Sequence, residues 1–378
     1  MKRELEVRRH NSQAPRTRRR AASPWHRGSI VGAVEPRGWQ KGKVTMEMRR
    51  CGSSSIELST LGIGCWSFGG GDYWGPQRDG AEREVVAAAL DHGVVYFDTA
   101  PSYNDGRSEE ALGRALRGRR HRAIVGTKVA PEHCVSSESL RRACEDSLRR
   151  LGTDMIDIYM VHWPIVGPPV AEAFETLMSL RDQGKVREIG VSNHGVQQMT
   201  QALGCGASIQ CNQLCYNLLC RAIEIEILPF CAQKGIGVLS YMPLMQGLLT
   251  ARYRSPDHVP VSFARTRHFR GNRPEARHGE PGAEQETFAT IQAIKKLAAA
   301  EGMLPQVMSL KWVKARPEIT TMLLGVRSAA QLEEDLPALD GGLTPALIKK
   351  LDCLTRPLMD RLGPSPDYYE ASTMSRIR

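Results

Sequence analysis

The ten cysteines of this 378-residue chain include no Cys-x-x-Cys pair and no Cys/His spacing of the kind that holds zinc. They are scattered singly through apolar segments, where a free Cys acts as a small hydrophobe. No metal site is expected, and the pattern predicts a reducing, cytoplasmic setting without disulfides. No apolar run reaches the roughly 18 residues that would suggest a membrane span, and a secretory h-region is missing from the start. Also missing is a Gly-x-Gly-x-x-Gly turn after the first strand-like segment. Gly62-Ile63-Gly64-Cys65-Trp66 lacks the third glycine and no helix follows at once, which argues against a doubly wound open sheet.

Acidic residues are scarce at one end only. Residues 1–45 hold twelve Lys/Arg against Glu4, Glu6 and Glu35, so this tail carries +9 of the chain's net +10. Residues 46–378 are close to neutral, which argues against a basic nucleic-acid surface on the folded part. The tail has no apolar periodicity, so residues 1–45 are expected to be a disordered Arg-rich extension. An organelle transit peptide would fit its Arg, Ser and Ala, but Glu4 and Glu6 sit where such peptides avoid acids. A nucleic-acid arm would fit Arg18-Arg19-Arg20, but Trp25 and Trp39 are too sparse to interleave with it. A dispensable extension, with the working protein starting near Met46 or Met48, is the plainest reading.

From Met48 onward, strand-like and helix-like segments alternate. Strands are expected at about 60–65, 94–98, 123–128, 155–161, 186–191, 208–213, 236–241 and 319–324. Helices are expected at about 82–92, 108–118, 136–150, 170–183, 195–203, 221–234, 284–300 and 328–337, with extra ones near 305–315 and 344–355. Ser108 and Ser136 read as N-caps. A hairpin over Arg49–Glu57, turning at residues 51–55, precedes the first strand and would plug the bottom of a barrel. Eight strand-then-helix repeats predict one (β/α)8 barrel over residues 46–378, a fold that needs about 250 residues. Residues 250–283 break the pattern; they are rich in Arg, Pro, Gly and His without a usable period, as functional or disordered loops are.

Chemistry-bearing residues follow the strand ends. Asp98 ends the second strand, with Tyr103 close behind; Lys128 ends the third, and His162 with Trp163 follows the fourth. Ser192 and Asn193 follow the fifth. In a barrel of this kind, catalytic groups sit at the C-terminal ends of the strands. Each residue alone has an ordinary explanation: a loop tyrosine, a capping acid, a surface lysine, a packed imidazole. All four at successive strand ends make a proton-transfer set.

These residues resemble the aldo-keto reductases. Tyr96-Phe97-Asp98-Thr99-Ala100-Pro101-Ser102-Tyr103 with Gly106-Arg107-Ser108-Glu109-Glu110 is similar to that family's first signature. Leu323-Leu324-Gly325-Val326-Arg327-Ser328 with Gln331, Glu334 and Asp335 is similar to its last. The resemblance spans about Arg49 to Leu354. It implies hydride transfer between NADP(H), bound extended without a Rossmann fold, and a small carbonyl or sugar. Tyr103 would donate the proton, Lys128 would lower its pKa, Asp98 would hold Lys128, and His162 would bind the carbonyl oxygen. Ser192, Asn193 and Gln213 would hold the nicotinamide carboxamide, and Tyr241 would stack on its ring. Gly325, Arg327, Ser328, Gln331, Glu334 and Asp335 would form the adenosine end, with Arg327 gripping the 2′-phosphate. The family usually has Asn at Asp335 and Pro at Leu324. Trp66 and Trp163, with Tyr73 and Trp74, would wall the substrate pocket. Separately, the long loop 250–283 reads either as a cover over the cofactor, with Arg265, Arg267, Arg270, Arg273 and Arg277 touching the pyrophosphate, or as a solvated basic loop. Two other functions share this barrel: an NAD(P)-linked sugar or polyol dehydrogenase, and a non-catalytic regulatory module like the potassium-channel β-subunits.

Overall fold

The computed structural model describes residues 46–167 and 170–378. The expected extension at residues 1–45 lies outside the described residues. Eight parallel strands close into a barrel: β3 Leu61–Gly64, β4 Tyr96–Asp98, β5 Ile124–Val129, β6 Ile156–Val161, β7 Val186–Ser192, β8 Ile209–Cys215, β9 Gly237–Tyr241 and β10 Ile319–Gly325. β10 closes the ring on β3, pairing Gly325 with Gly64. These strands are short apolar runs buried on both faces, as a barrel wrapped in helices requires. β6 is buried at every position.

The hairpin forms as expected. β1 Met48–Arg50 and β2 Glu57–Ser59 pair antiparallel, and Cys51 N donates to Ile56 O at 2.8 Å. It plugs the N-terminal end of the barrel: Cys51, Ile56 and Leu58 join Tyr96, Ile158, Met160, Cys211, Leu239 and Leu323 in one cluster. Gly52 (φ +61°) lies so close to the Gln210 carbonyl, at the start of β8, that a Cβ would meet its oxygen at 2.2 Å. Only glycine suits both that backbone and that approach.

The barrel helices are α1 Ala81–Asp91, α2 Arg107–Ala115, α3 Ser137–Leu151, α4 Val170–Asp182, α5 Val196–Gly204, α6 Ile227–Lys234, α7 Glu284–Ala300, α8 Pro305–Lys314 and α9 Ala329–Asp335, with α10 Pro345–Leu362 last. Ser136 caps α3 by accepting from Ser139 N. Three expectations need correction. Ser108 is not the cap of α2; Gly106 is, at φ +82°, and the Ser108 hydroxyl turns inward to Cys65 O (2.7 Å) and Thr99 Oγ1 (2.7 Å). The sixth helix starts at Ile227 rather than 221, because Pro229 has no N–H to give and is tolerated only in a first turn. The last helix runs through Pro357 to Leu362, well past the expected end.

Residues 363–378 then return to the C-terminal mouth. The carbonyl of Arg378 accepts from Gln197 N at 2.9 Å, at the start of α5. The long segment 250–283 is packed: Phe263, Thr266, Arg267, His268 and Phe269 are buried, and 3-10 turns interrupt it at Pro256–His258 and Val261–Phe263. All ten cysteines are unpaired. Among the described residues no helix is long and apolar enough to cross a membrane.

Candidate active site

Asp98, Tyr103, Lys128 and His162 come together at the C-terminal mouth of the barrel. Lys128, near the end of β5, is fully buried. Its ammonium lies 2.9 and 2.8 Å from the two Asp98 carboxylate oxygens, 2.8 Å from Thr99 O and 3.3 Å from Tyr103 OH. An ammonium has three protons, and three kinds of acceptor take them. Asp98 is held from its other side by Gln213 Nε2 at 2.7 Å. Gly126, two residues before Lys128, leaves room for the Tyr96 hydroxyl, which a Cβ there would meet at 2.2 Å. His162 meets Tyr103 edge-on, ring centroids 5.8 Å apart.

The electrostatics depart from expectation at Tyr103. Burial raises its phenol above the ordinary value, and the opposing pull of Lys128 does not win. The negative charge of Asp98, paired with Lys128, also raises the phenol and opposes the ammonium. Burial alone would depress the Lys128 ammonium, but Asp98 and Tyr103 raise it. The Asp98 carboxyl is raised by burial against the pull of Lys128. His162 is pushed down to about 3 by burial and then by Lys128. At neutral pH the site therefore presents a protonated phenol, a neutral imidazole and a charged ammonium.

The residues expected at the nicotinamide end form a second group. Asn193, at φ +60°, takes the left-handed conformation that Asn tolerates. Its amide donates to His162 O and Ser192 Oγ, both at 3.1 Å, and its oxygen accepts from Tyr241 OH at 2.9 Å. Ser192 Oγ donates to Gln213 O at 3.1 Å. Gln213 spends its amide N–H on Asp98, and among the described residues its side-chain carbonyl accepts nothing. A free amide carbonyl beside a tethered aromatic ring suits a carboxamide on a planar ring.

The residues expected at the adenosine end lie around β10 and α9. Ser328 caps α9 by accepting from Gln331 N, and Gln331 Oε1 accepts from Arg327 N at 2.8 Å. Gly325 and Glu334 are exposed and Asp335 is buried. With only seven residues in α9, its dipole adds little, which leaves Arg327 as the cation of this corner, beside the acidic Glu333, Glu334 and Asp335.

The pocket walls are aromatic. Trp66 stacks on Tyr73 at 4.9 Å, meets Trp74 at 5.1 Å and faces Tyr103 at 5.9 Å. Opposite, Trp163 is covered by the Arg376 guanidinium at 3.8 Å from the ring centroid. Asp367, fully buried, holds Arg376 through Nε (2.7 Å) and Nη2 (2.9 Å).

The five loop arginines do not act alike. Arg267 binds the carbonyls of Leu362 and Ser365, Arg270 and Arg273 bind Glu284, and Arg277 binds Glu370. Those four hold the loop to the fold. Arg265 lies over the rings of Tyr73 (5.3 Å) and Tyr369 (5.6 Å), with no carboxylate partner among the described residues. It is the one left for an anion.

Sequence reasoning missed several supporting residues. Asn104 pins the loop after β3 by donating to Trp66 O (2.9 Å) and Phe68 O (2.8 Å). Its signal was the turn-forming Asn104-Asp105-Gly106. Glu109 is buried and accepts from Thr127 Oγ1 and Arg150 Nε, both at 2.6 Å, bracing β5 beside Lys128. Arg376 and Asp367 carried no local signal.

A closed (β/α)8 barrel with an Asp, Tyr, Lys and His meeting at its mouth defines a class of barrel oxidoreductases. Comparison with known proteins gives the family. The model of the Aldo/keto reductase family matches residues 60–356, and the chain belongs to that family. It is 33% identical over 303 residues to the Aldo-keto reductase YhdN of Bacillus subtilis, covering 76% of this chain and 87% of that protein. It is 32% identical over 324 residues to an NADH-specific methylglyoxal reductase of Escherichia coli, covering 78% and 94%. An aldo-keto reductase from Klebsiella pneumoniae, solved with NADPH, superposes with a TM-score of 0.63 at 28% identity, covering 88% of this chain and 99% of that one.

Proposed function

We propose that this enzyme reduces a small aldehyde or ketone to the alcohol, with Tyr103 as proton donor and NADPH as cofactor. The observation that supports this most is the Tyr103 hydroxyl, held protonated by burial and 3.3 Å from a saturated Lys128 ammonium. When bound, the cofactor supplies a hydride to the carbonyl carbon. The chain's own residues handle the oxygen. His162, kept neutral, donates to the carbonyl oxygen and polarises it. Tyr103 passes its proton to that oxygen as negative charge develops there. Lys128 stabilises the tyrosinate that remains, and Asp98 with Thr99 O holds Lys128 in place. Gln213, through its side-chain carbonyl, with Ser192 and Asn193 would hold the cofactor's carboxamide, and Tyr241 would back its ring. Trp66 and Trp163 exclude water around a small substrate, in keeping with a methylglyoxal reductase among the relatives.

Following cofactor absorbance across a panel of aldehydes, ketones and sugars, with NADPH and with NADH, tests this directly. Turnover of small carbonyls is expected. Oxidation of sugars or polyols without carbonyl reduction would favour a dehydrogenase on the same residues, and no turnover at all would favour the regulatory module.

A further inference from the structure

Arg327 is the cation of the adenosine corner, yet each of its three guanidinium nitrogens already donates elsewhere. Nε donates to Gln77 Oε1 at 3.0 Å, Nη1 to Trp74 O at 2.7 Å and Nη2 to Pro76 O at 2.8 Å. Gln77 returns the contact, its Nε2 donating to Arg327 O at 3.0 Å. The loop between β3 and α1 is thus pinned to the corner where the 2′-phosphate is to bind. Tyr73 pins the same loop to the long segment after β9, donating to Ser262 O (3.1 Å) and accepting from Gln246 Nε2 (2.8 Å). Of these three acceptors, the one on Gln77 belongs to a side chain, and the other two are backbone carbonyls that no substitution removes.

We infer that Gln77 sets the choice between NADPH and NADH by competing with the 2′-phosphate for Arg327. This rests on the reading of the site as a nicotinamide-dependent reductase with its adenosine end at Arg327. A phosphate gains from a guanidinium fork; three of the five N–H groups are engaged here, and a fork that uses Nε must first displace Gln77. The gain is the difference between the two sets. NADH carries a hydroxyl at that position and leaves the loop undisturbed. The preference for NADPH is therefore smaller than Arg327 alone would give, and Gln77 is the adjustable part of it. Relatives fall on both sides of this choice, one named NADH-specific and one solved with NADPH.

The test is calorimetric titration of the full chain with 2′,5′-ADP and with 5′-AMP, then with NADPH and NADH. Gln77→Ala, and Gln77→Met as a variant that keeps the side-chain volume, should tighten 2′,5′-ADP and NADPH by about 3- to 30-fold, the span of one exchanged hydrogen bond. Binding of 5′-AMP and NADH should stay within about twofold. In an Arg327→Ala background the same Gln77 substitutions should do nothing, because no guanidinium remains to be released. The inference is overturned if both Gln77 variants leave 2′,5′-ADP unchanged or weaken it, if they shift both nucleotides alike, or if their effect persists without Arg327. A chain that binds neither NADPH nor NADH would sink the reductase reading itself. One that prefers NADPH equally in native and variant forms would sink only the role of Gln77.

Discussion

The strand ends and the loops of this barrel hold their functional residues in different ways. Asp98 and Lys128 sit on β4 and β5, are fully buried, and have their acceptors and donors fixed within the barrel wall. Arg327, Arg265 and Arg376 lie just beyond strands or on long segments, are only partly covered, and take their partners from other loops. On the proposed reading, chemistry is anchored to hydrogen-bonded strands, where a displacement would break the sheet. Selection of cofactor and substrate would then fall to residues whose contacts can be exchanged at small cost. Substitutions at the strand ends should therefore abolish turnover or stability, and those on the loops should shift affinities.

The largest effect is expected at the strand-end set. Tyr103→Phe removes the proposed proton donor and keeps the ring against Trp66. Turnover should fall by roughly 10²–10⁴-fold, the contribution of a positioned general acid. The NADPH dissociation constant, read by fluorescence titration, should barely move. Near-native turnover would take Tyr103 out of the mechanism.

Lys128→Met should rank next, and in stability as well as rate. It leaves Asp98 buried without its cation, a loss of about 3–5 kcal/mol for an uncompensated buried charge. Urea unfolding measures it. The deficit should shrink as pH is lowered, because an Asp98 without Lys128 takes up a proton in the folded state. A deficit that stays constant with pH would mean that Asp98 is already protonated in the native protein.

The same division decides how much the sequence reveals. β5, β6, β7 and β9 were read to within a residue or two because buried parallel strands are continuous apolar runs. The four catalytic candidates were legible because strand ends order them along the chain. Loop partners have no period to read. Nothing local in Arg265, Arg267, Arg270, Arg273 and Arg277 separates the one over Tyr73 from the four that hold the loop. Ser108 looked like a cap because its pull toward Cys65 O exists only once β3 lies beside α2. The extension of α10 past Pro357 was hidden by a residue that normally ends helices; Cys353, whose carbonyl a proline four residues on leaves unpaired, is exposed to water.

Three histidines that burial lowers to about 3 or 4 sharpen the comparison through pH, and a fourth, His278, is lowered as well. Burial lowers His162, after β6, to about 3, and His194, after β7, and His268, on the long loop, to about 4. Each is neutral when folded and has an ordinary value near 6.5 when unfolded. The unfolded chain therefore binds more protons below that pH. Stability should be full above about pH 6.5 and fall progressively toward pH 4. Urea midpoints at pH 7.0 and 5.0 give the loss. His268→Gln should flatten the decline by about one proton's worth, leaving the share of the strand-end pair. An undiminished slope in that variant would mean that His268 opens to solvent and titrates normally in the native loop.

The smallest effect is expected at Arg376, where the loops meet the substrate pocket. Its guanidinium covers Trp163 at 3.8 Å and is fixed by Asp367. It touches none of the four catalytic candidates by hydrogen bond. Arg376→Ala uncovers one face of Trp163 and loosens the wall on which a small carbonyl would rest. A cation–π contact of about 0.5–2 kcal/mol corresponds to roughly a 2- to 30-fold change in affinity. KM for the best substrate should rise within that range while kcat stays within about twofold, the signature of binding lost equally in ground and transition states. Arg376→Lys should recover only part of the loss, since an ammonium keeps the charge but not the planar fork that Asp367 grips. A fall in kcat comparable to that of Tyr103→Phe would erase the distinction, because a residue of the returning segment would then be setting the chemistry rather than the fit.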